Sequence, residues 1–193
     1  LVAALPETEA RREQELELLL GLGAALHGAK GYAAPEVAAL YRRAHALCAA
    51  LGDSPRLFTA LSGLAGYACM RAQYGEAWAR VEEMLALPQD RLEPLHLVQL
   101  HFTASRVRGF QGHLRAALAH AEHAIHLPDP SVPESAAFTG IAPQDAKVSA
   151  LGFSAMVLWL LGYPERSLER LGRTLRRAED TGYLYMQAAS LLY

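Results

Sequence analysis

The chain has 193 residues, of which 52% are hydrophobic, and a formal net charge of -2 at pH 7. That length and apolar content suffice for a sizeable core, and the charge balance argues against general electrostatic binding to nucleic acid or acidic lipid. Ala and Leu dominate while β-branched residues are scarce, so helix is expected and an extended sheet is not.

Residues 1–8 read as a lead-in, with Pro6 discouraging earlier helix. A helical pattern runs from Glu9 to about His27, acidic residues first, as suits the positive end of a helix dipole. GAKGYAA (28–34) is a loop, and Pro35 opens a helix that reaches about Leu51. Gly52 then supplies a C-cap, and Asp53 or Ser54 caps the next helix, Pro55 to Arg71. Its partner spans Tyr74 to Leu87, where Pro88 marks a break. A further pair covers Leu92 to Phe110 and His113 to Leu127. The proline-rich stretch 128–147 interrupts the pattern, either as a functional insertion or as an ordered loop over the core.

The most informative stretch follows, LGFSAMVLWLLGYPERSLERLGRTLRRAEDTG (151–182). Its first helix is apolar almost all round, which predicts burial on most sides. Its second is amphipathic, with Leu168, Leu171, Leu175 and Ala178 at helical spacing as the expected buried stripe. Gly162 closes the first helix and Pro164 starts the second. From Tyr183 another helix is expected.

This hairpin has copies. QYGEAWARVEEMLAL (73–87) and QGHLRAALAHAEHAIHL (111–127) share its shape, with Ala77, Ala117 and Ser167 in the same small-residue place. VAALYRRAHAL (37–47) aligns as a further copy. The copies lie roughly 40 and then about 50 residues apart, in or just above the range of helical repeat arrays. Each hairpin alone would expose apolar surface, and stacking covers it. The expected fold is all-α: four stacked helical hairpins plus the start of a ninth helix, in a single domain, 1–193. The chain begins at Leu1 without a methionine and ends at Tyr193 inside an apolar helical pattern, so it reads as a fragment of a larger protein.

Cys48 and Cys69, the only cysteines, fall among apolar residues inside predicted helices. They suggest a reducing, cytoplasmic setting rather than a disulfide scaffold. No signal peptide is visible, and the apolar run 151–161 is too short to span a bilayer.

Four constellations bear on function. His120, His123 and His126, with His113 before them, fan across about 120° of a helix. They are expected on its solvated outer face, with no metal site. His96, Gln99, His101, Phe102 and Arg106 occupy the preceding helix. The first helix of each hairpin lines the concave face of such arrays, so Gln99, Phe102 and Arg106, with Met70 and Trp159 on corresponding helices, are the candidate protein- or ligand-binding residues. The plain core reading competes for Phe102 and Trp159. Arg170, Arg173, Arg176 and Arg177, interleaved with Glu165, Glu169, Glu179 and Asp180, read as a solvated face with intrahelical ion pairs. Phosphate-binding glycine loops and nucleophile elbows are missing, and LGLG (20–23) lies inside a helical pattern, so no enzyme active site and no cofactor are expected here.

The hairpins resemble degenerate tetratricopeptide repeats, which implies an all-α, right-handed superhelical stack of about four tetratricopeptide-like hairpins. More specifically, residues 18–64, 111–125 and 159–182 resemble the C-terminal helical-repeat region of large bacterial signalling ATPases, most distinctively in KGYAAPEV (30–37) and WLLGYPE (159–165). Where that family often has a YGQDPG-like segment, this chain has TGIAPQDAK (139–147). The resemblance implies an attached ATPase core and an output module, either a nucleotide cyclase or a winged-helix DNA-binding domain. It implies a regulatory or scaffolding role through protein contacts, with a peptide, the sibling domains or a second copy as partner. A small-molecule sensor with 128–147 as lid, and a dimerisation or spacer module, are the alternatives.

Overall fold

The computed structural model describes residues 8–31, 33–128 and 146–180, with 187, 188 and 191. The stretch 129–145 and the expected helix from Tyr183 lie outside the described residues, the latter save those three. Within them the fold is all-α, with eight α-helices and no strand. The helices are α1 (Glu9–Lys30), α2 (Pro35–Leu51), α3 (Ser54–Met70), α4 (Tyr74–Leu85), α5 (Pro94–Phe110), α6 (Leu114–His126), α7 (Ala146–Leu160) and α8 (Pro164–Asp180). A 3-10 turn at Gln89–Arg91 precedes α5. The helix starts follow from local chemistry. Thr8 Oγ1 accepts from the Arg11 N–H at 3.2 Å, and Asp53 Oδ1 accepts from the Arg56 N–H at 2.9 Å, each satisfying an orphan donor of a first turn.

The described residues group into two compact units, 8–92 and 93–128 with 146–180. In the first, each of α1 to α4 packs on its neighbour in sequence. Its core gathers Leu16, Leu20, Val37, Tyr41, Ala44, Leu47, Cys48 and Ala60. Tyr41 fixes the spacing: a Cβ at Gly63 would fall 2.5 Å from its ring, and one at Gly23 would fall 3.0 Å away. The glycines of α1 and α3 are therefore seats for one aromatic side chain of α2. In the second unit α5 packs on α6, α6 on α7 and α7 on α8, while α5 also packs on α7. Val98, Phe102, Ala117, Ala124, Ala150, Phe153 and Val157 fill its core. Here Phe153 rests on Gly109, where a Cβ would approach it to 2.6 Å.

Three hairpin turns are built alike. At α3–α4, α5–α6 and α7–α8 the residues Ala72, Gly112 and Gly162 take positive φ, at 57°, 82° and 85°. The following N–H then reaches back to close the helix. Gln73 donates to the Ala68 carbonyl, His113 to that of Arg108 and Tyr163 to that of Leu158, each at 2.9 Å. These are Schellman-type closures, and they satisfy carbonyls that a helix end otherwise leaves unpaired. Ala77, Ala117 and Ser167 follow at matching places and are all buried, where small side chains permit close helix approach.

Two expectations are corrected in α8. Its inner face is Ser167, Arg170, Thr174 and Ala178, whereas Leu168 is 65% and Leu175 38% exposed. Arg170, expected on a solvated face, turns inward. Its guanidinium donates to Glu122 Oε1 of α6 at 2.7 Å and to Ser154 Oγ of α7 at 3.1 Å. A buried cation is tolerable when it is paired and hydrogen-bonded, and α6 and α7 supply both partners. The small hydroxyl residues beside it are satisfied too: Ser167 donates to the Ala155 carbonyl at 2.8 Å and Thr174 to that of Arg170 at 2.9 Å. Polar residues thus fill most of the inner stripe, with Ala178 buried as expected and Leu171 half-buried, and Leu168 and Leu175 are left outside.

Cys48 and Cys69 are buried free thiols, and burial pushes the Cys48 thiol up to about 11. No helix among the described residues is long and apolar enough to cross a membrane.

Candidate interaction surface

Of the five sequence-predicted site residues, Met70 belongs to the first unit, 47% exposed at the end of α3. The other four lie in the second unit. Phe102 is 5% exposed and belongs to the core. Arg106 lies over its ring with the guanidinium carbon 5.3 Å from the centroid, a cation–π distance. The Arg106 Nε is buried without a hydrogen-bond partner among the described residues. Gln99, half-buried, donates to Thr103 Oγ1 on its own helix at 3.4 Å. Phe102 and Arg106 are therefore brought together, with the ring turned inward and the guanidinium laid across it.

Trp159 is 61% exposed. The plain core reading fails there because α7 ends before its last turn is covered: Leu160 is 58% exposed and Tyr163, just past the turn at Gly162, is 44% exposed. Exposed Trp and Tyr side chains beside a leucine are the residue types that anchor protein interfaces. Beside this turn a cavity of about 380 Å³ opens, lined by Leu118, Ala119 and Leu161 with Arg115, Glu122, Tyr163 and Arg166 at its rim. Arg166 sits over the Tyr163 ring at 5.4 Å. Glu122 is engaged by Arg170, so Arg115 and Arg166 set the charge of the rim. Such a pocket accepts one apolar side chain and favours a carboxylate next to it.

His120 also departs from expectation. His123 and His126 are exposed, but His120 faces α5, its Nδ1 3.1 Å from the Nδ1 of His101. The His101 and His123 rings stand 4.0 Å apart. One imidazole N–H donates to the other's lone pair, which requires at least one neutral ring. Burial, then His123 and His120, lowers His101 to about 4. Burial, Arg108 and His123 lower His120 as well. Sequence reasoning took α6 alone and missed the pair. The available signal was hairpin symmetry, since His101 and His123 lie at equal distances either side of Gly112. Among the described residues no group of three or more His, Cys, Asp or Glu has the geometry to hold a metal ion.

No protein-family model matches this chain, and neither the curated proteins nor the solved structures provide a significant match.

Proposed function

We propose that this chain is a protein-interaction domain with a regulatory or scaffolding role, built as a right-handed stack of tetratricopeptide-like hairpins. The recurrence of one turn geometry at Ala72, Gly112 and Gly162 supports the repeat reading. In this reading, which the sequence resemblance supports, the domain belongs to a bacterial signalling or transcription-regulating ATPase, where it would bind a peptide or a sibling domain and act on the attached output.

The observation that carries the interaction reading is the exposure of Trp159, Leu160 and Tyr163 about the α7–α8 turn, Tyr163 also lining a cavity with Leu118, Leu161, Arg115 and Arg166. The partner segment would insert one large apolar side chain next to Leu118 and Leu161 and set an acidic residue against Arg115 or Arg166. Displayed peptides selected on the immobilised chain test this, with a Trp159→Ala/Tyr163→Ala variant as counter-selection. Acidic peptides with an apolar anchor that bind the chain, fail on the variant and shift tryptophan emission to the blue are the expected result. Peptides that bind both proteins equally, or none at all, would remove the surface from consideration. Concentration-dependent mass in light scattering that the same variant abolishes would instead make a second copy of the chain the occupant.

A further inference from the structure

The outer face of α8 centres on a glycine that the fold of the chain does not require. Gly23 and Gly63 seat Tyr41, Gly109 seats Phe153, and Gly52, Gly112 and Gly162 hold positive φ at helix ends. Gly172 does none of these. It lies in the middle of α8 without positive φ, a place where glycine is a poor helix former. A Cβ built on it would meet, among the described residues, only the Nη1 at the end of the Arg176 side chain, 3.4 Å away. A glycine inside a helix, turned away from its own core, leaves room for another backbone to approach closely.

The side chains about Gly172 form a pattern that complements itself. Leu168 and Glu169 stand four and three residues before it, and Leu175 and Arg176 three and four residues after. At about 100° per residue, the two leucines fall on one edge of the outer face and the glutamate and arginine on the other. All four are exposed, Leu168 the most. The sequence predicts intrahelical ion pairs along this face, yet Glu169, Arg173 and Arg176 form none among the described residues.

A second α8 laid on this face about a two-fold axis perpendicular to both helices runs antiparallel, and each edge stays on its own side. Leu168 then meets Leu175 of the second copy, and Glu169 meets Arg176 of the second copy. The symmetry makes each pair twice, with glycine against glycine between them. Glu165 and Glu179, toward the two ends of α8, are the like charges that this arrangement brings level. Packed helices commonly cross at about 50°, so the two copies diverge away from Gly172 and these carboxylates stand apart.

We infer that the outer face of α8 pairs with itself, joining two copies of this chain through Leu168, Glu169, Gly172, Leu175 and Arg176. The contact uses neither Trp159 nor Tyr163 and does not depend on the peptide-binding reading.

The test is sedimentation velocity on the whole chain from about 10 µM to about 1 mM, where a contact at the small end of interface sizes associates. Expected is a reversible dimer. Glu169→Arg and Arg176→Glu should each weaken it by about tenfold or more, since like charges then face each other. The double reversal Glu169→Arg/Arg176→Glu should restore it, because the same pairs form with their signs exchanged. Gly172→Ala should raise the melting temperature of the dilute chain, alanine being the better helix former, and still weaken the dimer. The Trp159→Ala/Tyr163→Ala variant should dimerise as the wild type does. A chain that stays monomeric over the whole range overturns the inference. So does a dimer that the single reversals leave intact, or one that the double reversal fails to rescue while circular dichroism shows the helices unchanged. Loss of the dimer in Trp159→Ala/Tyr163→Ala would move the contact to that surface and overturn it as well.

Discussion

The three matching turns allow one substitution to be tested in opposite directions. Ala72 holds a φ of 57° where its counterparts are Gly112 at 82° and Gly162 at 85°. A left-handed conformation costs an L-residue about 1–2 kcal/mol, because Cβ crowds the next carbonyl. Replacing Ala by Gly also loosens the unfolded chain, which costs about 0.4–1 kcal/mol. Ala72 is exposed, so no packing is lost with its methyl group. Ala72→Gly should therefore stabilise the fold by about 0.5–1 kcal/mol, the difference between those two effects. Gly112→Ala and Gly162→Ala should destabilise it by a similar amount. A Cβ at either glycine meets nothing within 4 Å, so the loss would be conformational and not steric. For a chain of this length the expected shift is on the order of 2–4 °C per kcal/mol in Tm. Urea unfolding of the four proteins side by side, with unchanged slopes, gives the free energies. A destabilised Ala72→Gly together with a neutral Gly112→Ala would refute the claim that the turns are conformationally equivalent.

Arg170→Met keeps the aliphatic stem and removes the guanidinium. It should lower stability by roughly 2–3 kcal/mol, less than the 3–5 of a fully buried pair because Glu122 retains 30% of its side-chain exposure. A double-mutant cycle with Glu122→Met checks this, and additive losses would show that the two groups are not coupled. The His101–His120 contact predicts an acid sensitivity. His101 is lowered from its ordinary 6.5 to about 4, so between those values the unfolded chain binds the proton and the folded one does not. Stability should be complete above pH 6.5 and fall as the pH drops toward 4. Between pH 7 and 5 the slope of unfolding free energy against pH should be shallower in His101→Gln than in the wild type, and parallel slopes would count against the burial of that imidazole.

Where a local rule acts alone, sequence and structure agree. Gly52 closes α2, Asp53 caps α3, Pro164 begins α8, and the helix bounds fall within a few residues of those expected. Caps, breakers and left-handed turns depend on four or five adjacent residues, so the sequence contains the information needed to place them. The likeness of three hairpin turns was legible for the same reason, since those three share one short closure. Which face of a helix is buried depends instead on what the neighbouring helices offer. The periodicity of α8 nominated Leu168 and Leu175, but Glu122 and Ser154, 48 and 16 residues upstream of Arg170, make the polar side the inner one. Likewise Trp159 sits in the most apolar of the described helices and is nevertheless exposed, since hydropathy measures a residue's preference and not whether a neighbour reaches it. The sequence by itself determined that this chain is helical, where most helices start and stop, and which small residues recur. Tertiary structure alone decided that one arginine is a buried clamp and that two histidines nineteen residues apart come within 3.1 Å of each other. The physical reason is that these outcomes are set by pairwise distances between helices, which hydrophobic periodicity along one helix does not encode.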